Sequence, residues 1–251
     1  MKKISIITVA WNSAETIEDT IKSVVSQSYE SLEYIIIDGG SSDETLDIID
    51  RYKEQIDIVV SEPDKGIYDA MNKGVDRATG DVVGILNSDD FYEDQDVLKD
   101  VMERFNSQNI EALYADLVYV DRNATDKVVR YWNAGVYKKG AFKKGWMPPH
   151  PAFFLSKKAY NEFGLYNLEL RSAADYELML RMIHKNEISP DYLPRVITRM
   201  RTGGQSNVSL KNRIKANKED RKAWEINGLK PSSLTMIRKP LSKVTQYIKK
   251  K

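Results

Sequence analysis

Two adjacent carboxylates, Asp89 and Asp90, follow a run of mostly apolar residues that begins at Val82. The run predicts a buried strand from Val82 to Asp90 that delivers both carboxylates at its end. Open α/β sheets bind ligands at the carboxyl ends of their strands, so the pair favours a cation and ligand site. Acidic residues are also common at helix N-termini, and a solvated pair preceding a helix near Asp94 is the alternative.

Other predicted strands also end in acidic turns, first at Asp38 and then at Glu62 and Asp64. Parallel strands bring such turns to one edge of a sheet, where crowded carboxylates need a cation. Oxygen ligands suit Mg²⁺ or Mn²⁺, which commonly retain waters and bind substrate phosphates. The sequence therefore predicts a divalent cation bridging a diphosphate. Lys65, in the same turn as Asp64, is either a contact to phosphate or nucleotide or a solvated turn lysine.

Strand and helix patterns alternate four times in the first hundred residues, ending with the strand that begins at Val82. This order predicts an α/β fold with a mostly parallel, Rossmann-like central sheet and helices on both faces. The second half is less regular. Residues 111–121 and 128–132 are predicted to be antiparallel strands, and residues 133–150 a loop with little periodicity. Helical patterns occur at 97–105, 174–184 and 207–227, and residues 188–200 are expected to be irregular to extended.

Composition and absent motifs exclude several classes of protein. The 251 residues contain no cysteine, which excludes a disulfide framework and a Cys nucleophile. The first strand is not followed by G-x-G-x-x-G, and neither the P-loop pattern nor G-x-S-x-G occurs. These absences argue against dinucleotide, P-loop nucleotide and α/β-hydrolase sites. We expect a cytoplasmic protein with no nucleic-acid partner.

Five motifs, in this order along the chain, resemble the family 2 glycosyltransferases of bacterial polysaccharide synthesis, especially the colanic-acid and capsular branch. They are SIITVAWN at residues 5–12, IDGGSSD at 37–43, DKGIYDAMN at 64–72, LNSDD at 86–90 and ADYEL at 174–178. The resemblance spans about residues 3–206. It implies a GT-A fold and an inverting, metal-dependent transfer from a nucleotide-diphosphate sugar, expected to be a UDP-sugar. The acceptor would be a hydroxyl of a glycan or a lipid-linked saccharide.

The resemblance also implies roles for individual residues. Asp90 would be the metal ligand, with Asp89 reaching the metal or the ribose. The remaining donor contacts would come from Val9, Ala10, Trp11, Asp38 and Lys65. Asp175 would be the catalytic base, although an Asp that merely begins a helix is the alternative. Proline neighbours restrict the backbone of His150, which is a candidate acceptor contact beside the alternative of a structural histidine.

This chain departs from the family pattern at two positions. Gly39 stands where many relatives carry a second acid expected to read uracil, which leaves the donor base open. Ala174 stands where relatives often carry Glu, a change that would affect acceptor binding.

We expect a GT-A domain over residues 1–206, with a nucleotide-sugar half at 1–105 and an acceptor-side half at 106–206. A C-terminal helical tail would follow at 207–251. Residues 230–251 carry seven of the 38 basic side chains and no acid, which leaves residues 1–229 with a net charge of −6. Such a basic amphipathic segment is typical of peripheral contact with the inner face of a membrane. It could equally pack on the body or on another subunit.

Two other functions remain open. The chain could be a noncatalytic sugar-nucleotide-binding partner in a polysaccharide assembly complex. A sugar nucleotidyltransferase would use a similar sheet and similar acids. That class normally has a basic, Gly-rich loop after the first strand, and Trp11–Glu15 is not such a loop.

Overall fold

The computed structural model describes residues 1–203, 210–231 and 235, with the backbone alone for residues 210–217. Its first half alternates strand and helix as predicted. The elements are β1 (Ile4–Ala10), α1 (Ile17–Val25), β2 (Leu32–Asp38), α2 (Thr45–Asp50), β3 (Ile58–Ser61), α3 (Ile67–Arg77) and β4 (Val82–Asn87). The strands pair in parallel in the order β3-β2-β1-β4. All carboxyl ends of these strands therefore lie along one edge.

Apolar residues on both faces of the strands explain why helices cover both sides. Alternate residues of β1 and β2 belong to two separate hydrophobic clusters, so Ile7 faces α3 whereas Ile6 faces α1. Gly74 of α3 lies directly against β1, because a Cβ there would come within 2.4 Å of Ile7 Cγ2. This close approach fixes the position of α3 on the sheet.

The second half extends the same sheet. Its elements are β5 (Asp90–Tyr92), α4 (Val97–Ser107), β6 (Ala112–Val120), β7 (Val128–Trp132), β8 (Phe153–Ser156), α5 (Lys157–Phe163), α6 (Ala174–Met179), β9 (Pro190–Arg201) and α7 (Leu210–Ile226). The complete order is β3-β2-β1-β4-β8-β6-β9-β5, with β7 paired to β6. Strand β8 is antiparallel to both β4 and β6 and so joins the halves, and β7 is antiparallel to β6 as predicted.

Two sequence expectations need correction, and a third becomes more specific. The strand predicted from Val82 to Asp90 ends at Asn87, because Ser88 and Asp89 form a turn and Asp90 begins β5, paired with β9. Residues 188–200, expected to be irregular to extended, contain most of the 12-residue strand β9, which β6 pairs in parallel. The helix predicted to end at His184 is α-helical only to Met179 and continues as a π-helix over Leu180–Lys185.

The predicted C-terminal segment is described only in part. Helix α7 lies within the predicted helix at 207–227. Trp224 of α7 is fully buried, and its indole nitrogen donates a 2.9 Å hydrogen bond to Tyr176 in α6. The basic residues from 236 onward lie outside the described residues. Within the described part of the chain, no helix has the length and apolar character needed to cross a membrane.

Candidate functional site

Three loops meet at the carboxyl edge of the parallel strands. A Cβ on Gly39, after β2, would lie 2.5 Å from Asp64 Oδ2 and 3.5 Å from Trp11 Cδ1. Val9 and Ala10 end β1 and are buried beneath this corner, whereas Trp11 is 58% exposed. Lys65 follows Asp64 and is exposed. The edge therefore presents an aromatic ring, a carboxylate and a lysine within one loop cluster.

Asp38 is fully buried at the end of β2, and its carboxylate is used within the protein. Oδ2 accepts hydrogen bonds from the amides of Gly40 (3.1 Å) and Ser41 (3.0 Å) and from the Ser61 hydroxyl (2.7 Å). Oδ1 accepts a 2.5 Å bond from the Ser41 hydroxyl. Asp38 thus sets the shape of the loop after β2 and ties it to β3.

Asp90 is fully buried as the first residue of β5. Asn87 Nδ2 donates a 3.3 Å hydrogen bond to its Oδ2, but Asp90 Oδ1 and Asn87 Oδ1 are buried without a hydrogen-bond partner. Burial, followed by the charge of Asp89, raises the pKa of the Asp90 carboxyl well above its ordinary value, and burial also raises the pKa of Asp89. Two buried oxygens next to the Asp89 carboxylate, one of Asp90 and one of Asn87, are therefore left with a local shortage of donors.

This shortage fits a divalent cation. Among residues 1–203, 210–231 and 235, no group of three or more acidic or histidine side chains forms a metal site. A small hard cation that shares its coordination with waters and a diphosphate needs only one or two protein carboxylates. The acidic turn also lies at the carboxyl edge of the sheet, next to the loop after β1. Asn87 pairs with Val9 of β1, and a 2.8 Å hydrogen bond joins the hydroxyls of Ser13 and Ser88.

Arg201 supports this region from β9. Its guanidinium donates a 3.0 Å hydrogen bond to the Asp89 carbonyl, forms an ion pair with Asp19 and lies 4.8 Å from the ring centre of Phe91. Buried at 4% exposure, the arginine fixes the backbone of the acidic turn. The sequence prediction missed it, because the extended pattern was expected to end one residue earlier, at Met200.

Asp175 reaches the same region from a distant part of the chain. It lies in the first turn of α6, and its Oδ1 accepts a 3.0 Å hydrogen bond from the Tyr68 hydroxyl. Tyr68 is the second residue of α3, directly after the Asp64–Gly66 loop. The contact thus brings a carboxylate of the second half to the loops at the carboxyl edge of the parallel strands.

The other acid of α6, Glu177, is committed to packing. It is 1% exposed, and its carboxylate accepts hydrogen bonds from Arg181 (2.9 and 3.0 Å) and from Asn227 of α7 (2.9 Å). Asp175 is half-buried, and Tyr68 is the one side chain found to hydrogen-bond its carboxylate within the part of the chain that the structure describes. Of the two acids, Asp175 is therefore the one available for chemistry.

His150 lies behind this carboxylate. It is buried, and its Nε2 is 2.9 Å from the Tyr166 hydroxyl. Burial lowers the pKa of the imidazole, and the charge of Asp175 partly offsets that effect. The structure thus places His150 in one cluster with Tyr166, Tyr68 and Asp175, with one ring nitrogen already engaged.

A separate cleft of about 500 Å³ lies at the opposite edge of the sheet. It is lined by Thr79–Asp81, which precede β4, and by residues of α5. Because ligands of open α/β sheets bind at the carboxyl ends of the strands, this cleft is at the wrong edge for the chemistry above.

Comparison with known proteins identifies the architecture. The family profile described as "Glycosyl transferase family 2" matches residues 5–162. A PGL/p-HBAD biosynthesis glycosyltransferase of Mycobacterium bovis is 31% identical over 208 residues, covering 81% of this chain and 79% of that protein. The putative teichuronic acid biosynthesis glycosyltransferase TuaG of Bacillus subtilis is 39% identical over 104 residues, covering 40% of this chain and 39% of that protein.

Solved structures share the fold at low sequence identity. S. aureus TarS 1-349 in complex with UDP-GlcNAc has a TM-score of 0.68 at 16% identity, over 90% of this chain and 65% of that one. The mannosyltransferase PcManGT from Pyrobaculum calidifontis, in complex with GDP-Man and Mn²⁺, has a TM-score of 0.67 at 17% identity, over 98% and 70%. The expected GT-A fold is thereby confirmed.

Proposed function

The chain belongs to glycosyl transferase family 2, and from this premise we propose that it transfers a sugar, with inversion, from a nucleotide-diphosphate donor to a hydroxyl group. The acceptor is a glycan or lipid-linked saccharide of a bacterial surface polysaccharide. The names of relatives in PGL/p-HBAD and teichuronic acid biosynthesis support this assignment. A nucleotidyltransferase is disfavoured by the family membership.

The observation that carries the proposal is the fully buried Asp90 carboxylate with an unpartnered oxygen. Leaving a buried charged group without a partner is costly, so such an arrangement is retained where a ligand completes it. We assign the cation to Asp90, with Asp89 as the second carboxylate. When bound, Mg²⁺ or Mn²⁺ supplies Lewis-acid stabilisation of the departing diphosphate. The Mn²⁺ in the PcManGT complex supports this choice of ion class.

Asp175 is the catalytic base in this proposal. Its carboxylate accepts the proton of the acceptor hydroxyl while that oxygen bonds to the anomeric carbon and the bond to the nucleoside diphosphate breaks. A single displacement inverts the anomeric configuration. Glu177 cannot serve in this way, because its oxygens already accept bonds from Arg181 and Asn227. His150 lies on the acceptor side, next to Tyr166. From there it orients an acceptor hydroxyl or shapes the wall of the acceptor site.

The donor nucleotide occupies the loop cluster formed by Trp11, Gly39 and Asp64. Val9, Ala10 and Trp11 line the pocket for the nucleobase, and Lys65 contacts phosphate or the nucleobase. Asp38 acts indirectly, by shaping the loop after β2. The family resemblance expects an acid at position 39 to read uracil. Here Asp64 Oδ2 lies 2.5 Å from where a Cβ on Gly39 would be, so Asp64 supplies a carboxylate to this corner. We therefore favour a uridine nucleotide.

The basic C-terminal tail contacts an anionic membrane surface in this proposal, which keeps the enzyme near a lipid-linked acceptor. Each Lys or Arg near an anionic leaflet contributes about 1 kcal/mol. Deleting residues 236–251 and measuring binding to vesicles with and without anionic lipid tests this step. Equal binding by both proteins would contradict it.

Transfer itself is tested by incubating the protein with a panel of UDP-, GDP- and dTDP-sugars, with Mg²⁺, Mn²⁺ or EDTA. We expect metal-dependent release of one nucleoside diphosphate, and a product of inverted anomeric configuration by NMR. Metal-dependent nucleotide binding without turnover on any donor and acceptor would instead favour the noncatalytic binding partner.

A further inference from the structure

We propose that Tyr68 is a positioning residue that orients the catalytic carboxylate of Asp175 through a hydrogen bond from its hydroxyl. The inference rests on the proposed role of Asp175 as the base. The Tyr68 hydroxyl lies 3.0 Å from Asp175 Oδ1, and the two residues are 107 positions apart in the sequence. The contact joins the first turn of α3 to the first turn of α6.

The backbone of Tyr68 is held at the start of α3. Gly66 precedes the helix with a φ of +120°, a conformation that other residues rarely adopt. Its amide donates a 2.8 Å hydrogen bond to Asp64 Oδ1, and the Lys65 amide donates a 3.0 Å bond to Asp69 Oδ2. These bonds fix the turn that enters the helix, and with it the direction in which Tyr68 leaves the backbone.

The ring of Tyr68 is held as well. It stacks on Tyr166 with ring centres 5.7 Å apart and planes 20° from parallel. Tyr166 is itself fixed, since its amide and carbonyl form two 2.9 Å hydrogen bonds with the side chain of Asn72. Its hydroxyl bonds to His150. Tyr68 therefore presents its hydroxyl to Asp175 from a rigid platform.

The chemistry of the pair suits a positioning role. Burial, followed by the charge of Asp175, raises the pKa of the Tyr68 hydroxyl well above its ordinary value, so this group stays protonated and donates. A carboxylate held by one oxygen loses rotational freedom and keeps its other oxygen for the acceptor hydroxyl. Small errors in the placement of a base lower the rate strongly, whereas the donor is held by other residues and keeps its affinity.

The direct test is Tyr68→Phe, which keeps the stacked ring and removes the donor. We expect kcat to fall about tenfold to a hundredfold, with donor KM and metal-dependent donor binding within about twofold of wild type. Tyr52→Phe is the matched control, because it removes another tyrosine hydroxyl that donates to a carboxylate, Glu18, at 2.8 Å. That control is expected to keep wild-type kcat.

A double variant separates positioning from other roles. If Tyr68 acts through the base, adding Tyr68→Phe to Asp175→Asn leaves the residual kcat unchanged. A further loss in the double variant, a wild-type kcat in Tyr68→Phe, or a change confined to donor KM would each overturn the inference. Should Tyr68→Phe fail to fold, Tyr68→Gln and Tyr68→Leu replace it. A higher kcat for the Gln variant supports the inference, and equal values overturn it.

The outcome for Asp175→Asn alone distinguishes failure of the proposed function from failure of the role of Tyr68. Near-normal transfer by that variant would remove the proposed base. Loss of transfer by Asp175→Asn, together with wild-type kcat for Tyr68→Phe, would leave the proposed function intact and remove only the role of Tyr68.

Discussion

Asp64 occupies the space beside Gly39, with its Oδ2 2.5 Å from the position that a Cβ on residue 39 would take. The amide of Gly39 also donates a 2.8 Å hydrogen bond to the Ala10 carbonyl, which ties this corner to the end of β1. A glycine at position 39 is thus the condition under which the Asp64 carboxylate can approach the proposed nucleobase pocket. The relationship joins the loops that follow β2 and β3, through two residues 25 positions apart in the sequence.

We predict that Gly39→Ala and Asp64→Asn both weaken nucleotide binding about tenfold, the first by displacing the carboxylate and the second by neutralising it. Glu62→Gln is the control, since Glu62 is an exposed acid of the same loop that pairs with the half-buried Lys73. Isothermal titration with UDP and GDP measures the effect. Unchanged affinity in Asp64→Asn, or an equal loss in the control, would contradict a base-reading role.

Asp90→Asn is expected to lose metal-dependent donor binding and to gain stability. Burial and the charge of Asp89 raise the pKa of Asp90, so the carboxylate is costly in the metal-free protein. An amide removes that cost, and we expect a gain of about 0.5–2 kcal/mol in the free energy of unfolding in EDTA. Urea unfolding measures the gain, with exposed Asp76→Asn as the control. Reduced stability together with intact metal-dependent binding would exclude the cation site.

Asp175→Asn is expected to separate binding from chemistry. Without the base, kcat should fall by about 10²- to 10⁴-fold, while the affinity for the donor stays within about twofold. The affinity is retained because Asp175 belongs to α6 and is not part of the loops after β1, β2 and β4. Steady-state transfer rates and donor titration together measure both quantities. Exposed Glu162→Gln, in α5, provides the control for removal of an acidic charge.

The pKa of Glu33 predicts how the free energy of unfolding depends on pH. Burial alone would raise its pKa, but hydrogen bonds from Ser5, Thr79 and Lys3 outweigh burial and lower the pKa from 4.5 to about 2. A carboxyl with a lowered folded-state pKa stabilises the protein fully above about pH 4.5, and that contribution is lost as the pH falls towards 2.

Glu33→Gln should therefore lower the free energy of unfolding at pH 7, by about 1–3 kcal/mol, and flatten its decline between pH 5 and pH 3. Urea unfolding at a series of pH values measures both changes. A decline in the variant as steep as in the wild type would show that other carboxyls govern the acid sensitivity.

Local patterns along the chain determined much of the fold. The alternation of apolar strands and amphipathic helices predicted β1 to β4 and α1 to α3, because each element buries its own residues with its own period. The antiparallel pair β6 and β7 was predicted in the same way. The ordered motifs identified the family, and the acidic turns identified the sheet edge at which a site would lie.

The roles of the predicted donor and metal residues remain predictions. What surrounds these residues was decided by the tertiary structure. The Asp38 carboxylate accepts hydrogen bonds from its own loop. Asp90 is buried in a strand whose partner, β9, lies about 100 residues further along the chain. No local pattern encodes such contacts, since they depend on the register in which distant strands pair.

The same reason applies to the proposed catalytic carboxylate. Sequence motifs marked Asp175, and Tyr68 lay unremarked within another motif. Only the packing of α6 against the sheet and α7 brings the two together. Arg181, Asn227 and Trp224 hold the helix that carries the proposed base. The sequence thus determined which residues could do chemistry. The tertiary structure decided which of them meet, because each meeting requires two distant segments to be packed at a fixed distance.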